Sequence, residues 1–233
     1  MRTFTVEHDG VALHVTRGGS GPLLVLCPGL SVSQVDLDGL ISLLRKDFEV
    51  VAFDLRGHGR SSAGEYSFEG FLADLRAVMA GLPSPILVGY SLGADLAVHY
   101  AASAPVASLV LIDGGNPLPE AFITGEYVEE FREIFAGVTG PLTPEDVLRV
   151  NLEIDAVRLG ILERYEAIDA PIRVVTSTWI AGEDGPARHN ELWRAGWARL
   201  AEARPEIPMT RLATDHGLVF SHPEEVAAAV RAA

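Results

Sequence analysis

Short apolar runs rich in β-branched residues alternate along the chain with longer stretches whose apolar positions recur every three or four residues. The first pattern is that of strands and the second that of amphipathic helices. Thr3 to Glu7 and Ala12 to Thr16 flank His8-Asp9-Gly10, which predicts a hairpin. Leu23 to Cys27 is apolar throughout, as expected of a strand covered on both faces. Leu37, Leu40, Ile41 and Leu44 fall at helical spacing, and Val50 to Leu55 then reads as a second buried strand. Phe68, Phe71, Leu72, Leu75 and Val78-Met79 mark a helix with Ser67 as its N-cap. Strands follow at Ile86 to Tyr90 and Ser108 to Ile112, with a helix over Leu92 to Ala102 between them. Further on come a strand at Ile172 to Thr176, a helix around Glu191 to Ala203, a strand at Met209 to Ala213 and a helix from Glu224. This alternation predicts an α/β fold: a mostly parallel sheet with helices on both faces, the leading hairpin forming an antiparallel edge.

One segment breaks the rhythm. From Asn116 to Asp169 no strand pattern appears, a gap of roughly 55 residues that is far longer than an ordinary connection. Tyr127 to Phe131, Ile134-Phe135 and Glu145 to Leu162 carry helix formers, and prolines at 117, 119, 141 and 144 punctuate them. Residues 1–115 and 170–233 are expected to form the core, and 116–169 a helical insertion. That insertion is expected to form a small helical cap over a site, an enlarged crossover being the alternative.

Composition narrows the class. The 233 residues suit one large α/β domain, and 48% hydrophobic content supplies a core. A formal net charge of −14 repels phosphate backbones and anionic lipid, so neither nucleic acid nor a membrane surface is an expected partner. The lone Cys27 excludes an intrachain disulfide. The stretch MRTFTVEHDGVALHV lacks the apolar core of a signal peptide, and no apolar run reaches ~18 residues. A soluble cytoplasmic protein is the expectation, with the oligomeric state left open.

Gly89-Tyr90-Ser91-Leu92-Gly93 stands where a strand gives way to a helix. A serine there is forced into a sharp turn that exposes its hydroxyl, and its neighbours must be small because strand and helix backbones nearly touch. The helix N-terminus directs free N–H groups at a developing oxyanion. The alternative, a structural serine in a glycine turn, leaves the strand–turn–helix context unexplained. Three further stretches join it: Cys27-Pro28-Gly29-Leu30, Asp54-Leu55-Arg56-Gly57-His58-Gly59-Arg60-Ser61, and Asp215-His216-Gly217 before the last helix.

With these four landmarks the chain resembles the α/β-hydrolase superfamily over nearly its full length. The resemblance implies that the backbone N–H groups of Leu30 and Leu92 form an oxyanion hole. Pro28 departs from the pattern, standing where a histidine commonly precedes the glycine. The 54–61 stretch is read as a structural loop rather than as chemistry, and Cys27 as a small buried residue.

A serine hydroxyl needs a base. Of seven histidines, His99 lies eight residues along the helix, about 12 Å away by its rise. His216 follows the last strand, where the resemblance puts the catalytic histidine. The acid stays open. Asp184 in Ala181-Gly182-Glu183-Asp184-Gly185-Pro186 is favoured by chain order. Glu183 beside it and Asp113, at the end of the strand after the elbow helix, are the alternatives.

These residues imply a serine hydrolase cleaving an ester, lactone or thioester through an acyl-enzyme, on a small apolar substrate held by Phe122, Phe131 and Phe135. Two alternatives keep the fold without acyl-enzyme turnover: a lyase- or cyclase-like enzyme, and a ligand-binding receptor. No dinucleotide fingerprint and no His/Cys cluster of metal-ligand spacing appears, so no cofactor and no metal is implied.

Overall fold

The computed structural model describes residues 1–125, 127–137 and 142–233. Pro141, one of the four prolines noted above, lies outside them. Eight strands form one sheet: β1 (Arg2–His8), β2 (Val11–Gly19), β3 (Leu23–Cys27), β4 (Glu49–Phe53), β5 (Ile86–Tyr90), β6 (Ser108–Ile112), β7 (Ile172–Ser177) and β8 (Met209–Leu212). Their order is β1-β2-β4-β3-β5-β6-β7-β8. β1 and β2 pair antiparallel, β2 joins β4 antiparallel, and every pairing from β4 to β8 is parallel. The chain therefore winds outward from β3 in two directions, to β4 on one side and through β5 on the other. Such a reversal opens a crevice at the carboxyl ends of the strands.

Helices cover both faces, as continuous apolar strands require. On one face Val25, Leu87, Leu109, Leu111 and Val174 meet α2 (Phe68–Met79) and α3 (Leu92–Ala101). On the other, Leu24, Val88, Val110, Ile112 and Val175 meet α1 (Asp38–Leu44) and α9 (Pro223–Arg231). Neighbouring residues of one strand thus serve opposite layers, the period of two that a pleated strand imposes. Ser67 caps α2 by accepting from the Gly70 amide at 3.1 Å.

Between β6 and β7 the described residues make three helices, α4 (Val128–Phe135), α5 (Pro144–Gly160) and α6 (Leu162–Glu166). Thr143 and Asp146 form a reciprocal capping box on α5, with Pro144 in its first turn. Leu148, Val150, Ile154 and Tyr165 join the same apolar cluster as α2 and α3, whereas α4 buries none of its residues fully. After β7, α7 (Ala187–Ala203) begins four residues before the expected Glu191. His189 and Asn190 are buried there, so a charged-looking stretch turns an inner face to the core. The short helix α8 (Leu218–Ser221) was not expected; its Leu218 and Val219 pack under the α1 layer.

Candidate active site

Ser91 sits between the end of β5 and the start of α3 with φ 53° and ψ −123°, a conformation non-glycine residues rarely adopt. The residues two places to either side must be glycine for want of space. A Cβ on Gly89 would come within 2.2 Å of the Gly93 carbonyl oxygen, and one on Gly93 within 2.2 Å of the Cys27 carbonyl oxygen. The strand, the turn and the loop after β3 are in backbone contact here. Gly29 brings that loop beside the serine, where a Cβ would lie 3.0 Å from Ser91 Cβ. Leu92 opens α3, so its amide is among the first-turn donors that a helix cannot satisfy internally. Leu30 lines the cavity over the serine with Leu92.

His216 follows β8 and reaches across the strand ends. Its Nε2 is 2.9 Å from Ser91 Oγ, and its Nδ1 is 2.8 Å from Asp113 Oδ2. Tyr90 stacks on the imidazole at 5.4 Å, and its hydroxyl donates to the His216 carbonyl at 2.8 Å. Trp193 of α7 meets the ring edge-on at 6.1 Å. The imidazole is thus held in its plane and at its backbone.

The carboxylate that meets His216 is Asp113 and not the favoured Asp184. Asp113 directly follows β6 with φ 49° and is fully buried. Its Oδ1 accepts from the Ser177 amide (2.7 Å) and from Thr176 Oγ1 (3.1 Å), while Oδ2 accepts from Ser177 Oγ (2.8 Å) as well as from the histidine. Asp184 and Glu183 lie exposed in the turn before α7, with no contact to His216. The physical reason is the chain leaving β7. Thr178 and Trp179 turn back to bond the Thr214 carbonyl (3.1 and 3.3 Å), and Asn190 ties down Ala181 and Gly182, which carries the turn away from the imidazole. The end of β6 is adjacent to β5 and so lies closer.

The 54–61 loop is internally bonded. His58 Nδ1 meets the Arg56 carbonyl at 2.8 Å, and its Nε2 accepts from the Ser31 amide at 2.8 Å. Burial pulls the His58 pKa down, keeping a lone pair for that amide. Arg56 pairs with buried Asp74 at 2.6 Å. This loop steadies the segment after Leu30. Burial pushes the Cys27 thiol well up, so it is no nucleophile.

A cavity of about 410 Å³ opens onto Ser91 and His216. Phe122, Phe131 and Phe135 all line it, with Ile134 and Ile180 beside them. Three further polar lining residues had no place in the sequence reading, Asn151, Asp155 and Arg158; His189, one of the seven histidines weighed there, lines the cavity too. His189 contacts Phe131 and Phe122 (centroids 5.1 and 5.9 Å), and burial lowers its pKa against the raising effect of Glu130. Arg158 is paired with Asp95 of α3 through Nε (2.8 Å) and Nη2 (2.7 Å). Asp95 Oδ1 also accepts from the Gly115 amide, and Tyr165 donates to the Gly115 carbonyl at 2.7 Å. A signal for these existed: Asn151, Asp155 and Arg158 recur at four and three residues, one face of a helix. Among the described residues no cluster of His, Cys, Asp and Glu could hold a metal, and no helix is long and apolar enough to cross a membrane.

The model of the alpha/beta hydrolase family matches residues 24–229. The chain belongs to that family. It is 30% identical over 188 residues to the 2-(acetamidomethylene)succinate hydrolase of Mesorhizobium japonicum, covering 74% of this chain and 65% of that one. It is 33% identical over 158 residues to the N-formylmaleamate deformylase of Pseudomonas putida, covering 60% of this chain and 58% of that one. The matches thus span about three fifths of these relatives' lengths. In three dimensions it superposes on a carboxylesterase structure from the thaumarchaeon Nitrososphaera gargenis with a TM-score of 0.77 at 18% identity, over 99% of this chain and 97% of that one. That likeness is one of fold.

Proposed function

We propose that the protein is a serine hydrolase that cleaves an ester-type acyl bond (a carboxylic ester, lactone or thioester) of a small molecule through an acyl-enzyme. One observation carries this reading: the continuous relay of Ser91 Oγ, His216 and Asp113 at 2.9 and 2.8 Å. Relatives named as a hydrolase and a deformylase support hydrolysis as the class. Ser91 Oγ attacks the acyl carbonyl while His216 Nε2 takes its proton. Asp113 accepts the Nδ1–H throughout, fixing the tautomer and stabilising the imidazolium. The amides of Leu30 and Leu92 hold the oxyanion as the tetrahedral intermediate forms. His216 then gives the proton to the leaving group. Water repeats the sequence on the acyl-enzyme, and the acid product leaves. Residues 116–169 act as a cap, with Phe122, Phe131 and Phe135 forming the apolar side of the acyl pocket.

A fluorophosphonate should label the protein stoichiometrically at Ser91, and Ser91→Ala should abolish both labelling and turnover of p-nitrophenyl esters, with a loss above ~10³-fold. Retention of more than a tenth of the wild-type rate in a folded variant would exclude Ser91 as nucleophile. Absent labelling would favour a receptor or a lyase-like enzyme on the same fold.

A further inference from the structure

The cavity wall formed by α5 is unlike the rest. Around the serine the lining is aliphatic and aromatic, but Asn151, Asp155 and Arg158 place three polar side chains on one helix face, all bordering the same space. Asp155 and Arg158 are buried, and polar groups in such positions are costly unless bonded. Each is bonded in a way that leaves part of it over. Arg158 commits Nε and Nη2 to Asp95, and no described residue takes its Nη1. Its guanidinium also lies over the Trp193 ring at 5.5 Å, so the group is fixed from two sides and cannot swing away. Asn151 gives Nδ2 to the Val147 carbonyl at 2.8 Å, and no described residue bonds its Oδ1. Asp155 Oδ2 accepts from the Ile123 amide at 2.7 Å. Although one turn apart on α5, Asp155 and Arg158 are not paired with each other; Arg158 turns to Asp95 instead. The wall therefore presents a fixed donor and acceptors side by side.

Charge decides which ligand suits it. The Arg158 charge is already matched by Asp95, and Asp155 adds a carboxylate beside the pair. A carboxylate ligand would meet Asp155, with Asp95 behind Arg158 already matching its charge; an ammonium ligand would find Asp95 taken by Arg158 and Asp155 held by the Ile123 amide, with the guanidinium beside it in surroundings where such repulsion is poorly screened. A neutral group that both donates and accepts meets neither penalty. We propose that this face of α5 is a polar subsite for an acyl chain bearing a neutral hydrogen-bonding group, a carboxamide or a hydroxyl, opposite the aromatic wall that holds its hydrocarbon part. The proposal rests on the serine-hydrolase reading for the word acyl, though not for the subsite itself. Asp95 stands four residues after Ser91 on α3, so the polar group falls roughly 6 Å or more from the nucleophile by helical rise, several bonds beyond the carbonyl.

The test separates binding from turnover. Four unreactive methyl ketones of equal length, ending in a methyl, a carboxamide, a carboxylate and an ammonium group, are titrated calorimetrically against the Ser91→Ala protein at chain lengths from four to eight carbons, a span of about the distance above. The carboxamide should bind about tenfold more tightly at the best length. Asn151→Leu, which loses only a bond within its own helix, should narrow that gap. The double change Asp95→Asn with Arg158→Met, which removes both members of the buried pair together, should close it. Equal binding, or tighter binding of the methyl, carboxylate or ammonium analogue, overturns the proposal. Matching p-nitrophenyl esters given to the unaltered protein test the hydrolase reading separately. No turnover alongside an intact carboxamide preference would reject that reading and keep the subsite.

Discussion

Asp113 receives four hydrogen bonds while fully buried, one of them from His216. An amide in its place could offer an N–H toward the imidazole and favour the wrong tautomer, so Asp113→Asn should lower kcat by about 10³–10⁴-fold. Asp184→Asn, in an exposed turn, should change kcat less than about twofold, since surface substitutions remote from a site rarely matter. The reverse ranking, in variants of unchanged melting temperature, would return the acid to the turn before α7. At this scale the candidate nucleophile Ser91 was legible because the residues two places to either side are dictated by contact: Gly89 and Gly93 can be nothing larger. His216 was legible from its place after the last strand. The acid was not, because chain order treats the ends of β6 and β7 alike. What separates them is the return of Thr178 and Trp179 toward Thr214, a contact between residues distant along the chain.

Among the elements, α5 is the one whose period told least. Its sequence reads as a mixed helix, yet it packs on α2 and α3, sends Arg158 to Asp95 and bounds the cavity. The strands were legible throughout, since alternate or continuous apolar runs report burial directly. A helix that shares its polar residues between a core and a cavity gives no such stripe. The buried Asp95–Arg158 pair supplies a test of this anchoring. Arg158→Met leaves Asp95 as an uncompensated buried charge and should destabilise the fold by about 3–5 kcal/mol. Adding Asp95→Asn keeps an acceptor for the Gly115 amide and should restore most of that loss in chemical denaturation. If the double variant were no more stable than the single one, the pair would not be what ties α5 to α3.

Across the whole molecule, burial lowers the pKa of three histidines, His58, His99 and His189. The unfolded chain then takes up protons first, near the ordinary value of about 6.5. Their contribution to stability is fully present above that pH and is lost as pH falls through 6.5 toward the folded values. Asp155 runs oppositely, its raised pKa favouring the fold below the ordinary carboxylate range of about 4 and opposing it as pH rises. The melting temperature should therefore drop by a few degrees between pH 7.5 and pH 5.5, and a flat profile by calorimetry would contradict the burial of these rings. The same scale shows a different property in the span of the relay. Ser91 and His216 are 125 residues apart and Asp113 and His216 are 103 apart, joined only after β7 has docked in parallel on β6 and β8 on β7. Parallel pairings of such separation close long loops and form late. On dilution from denaturant, helix and strand signals in far-ultraviolet circular dichroism should return first, and fluorophosphonate reactivity should trail them in a slower phase. Reactivity that regained its full amplitude together with the dichroism would mean that the last two strands belong to the folding nucleus.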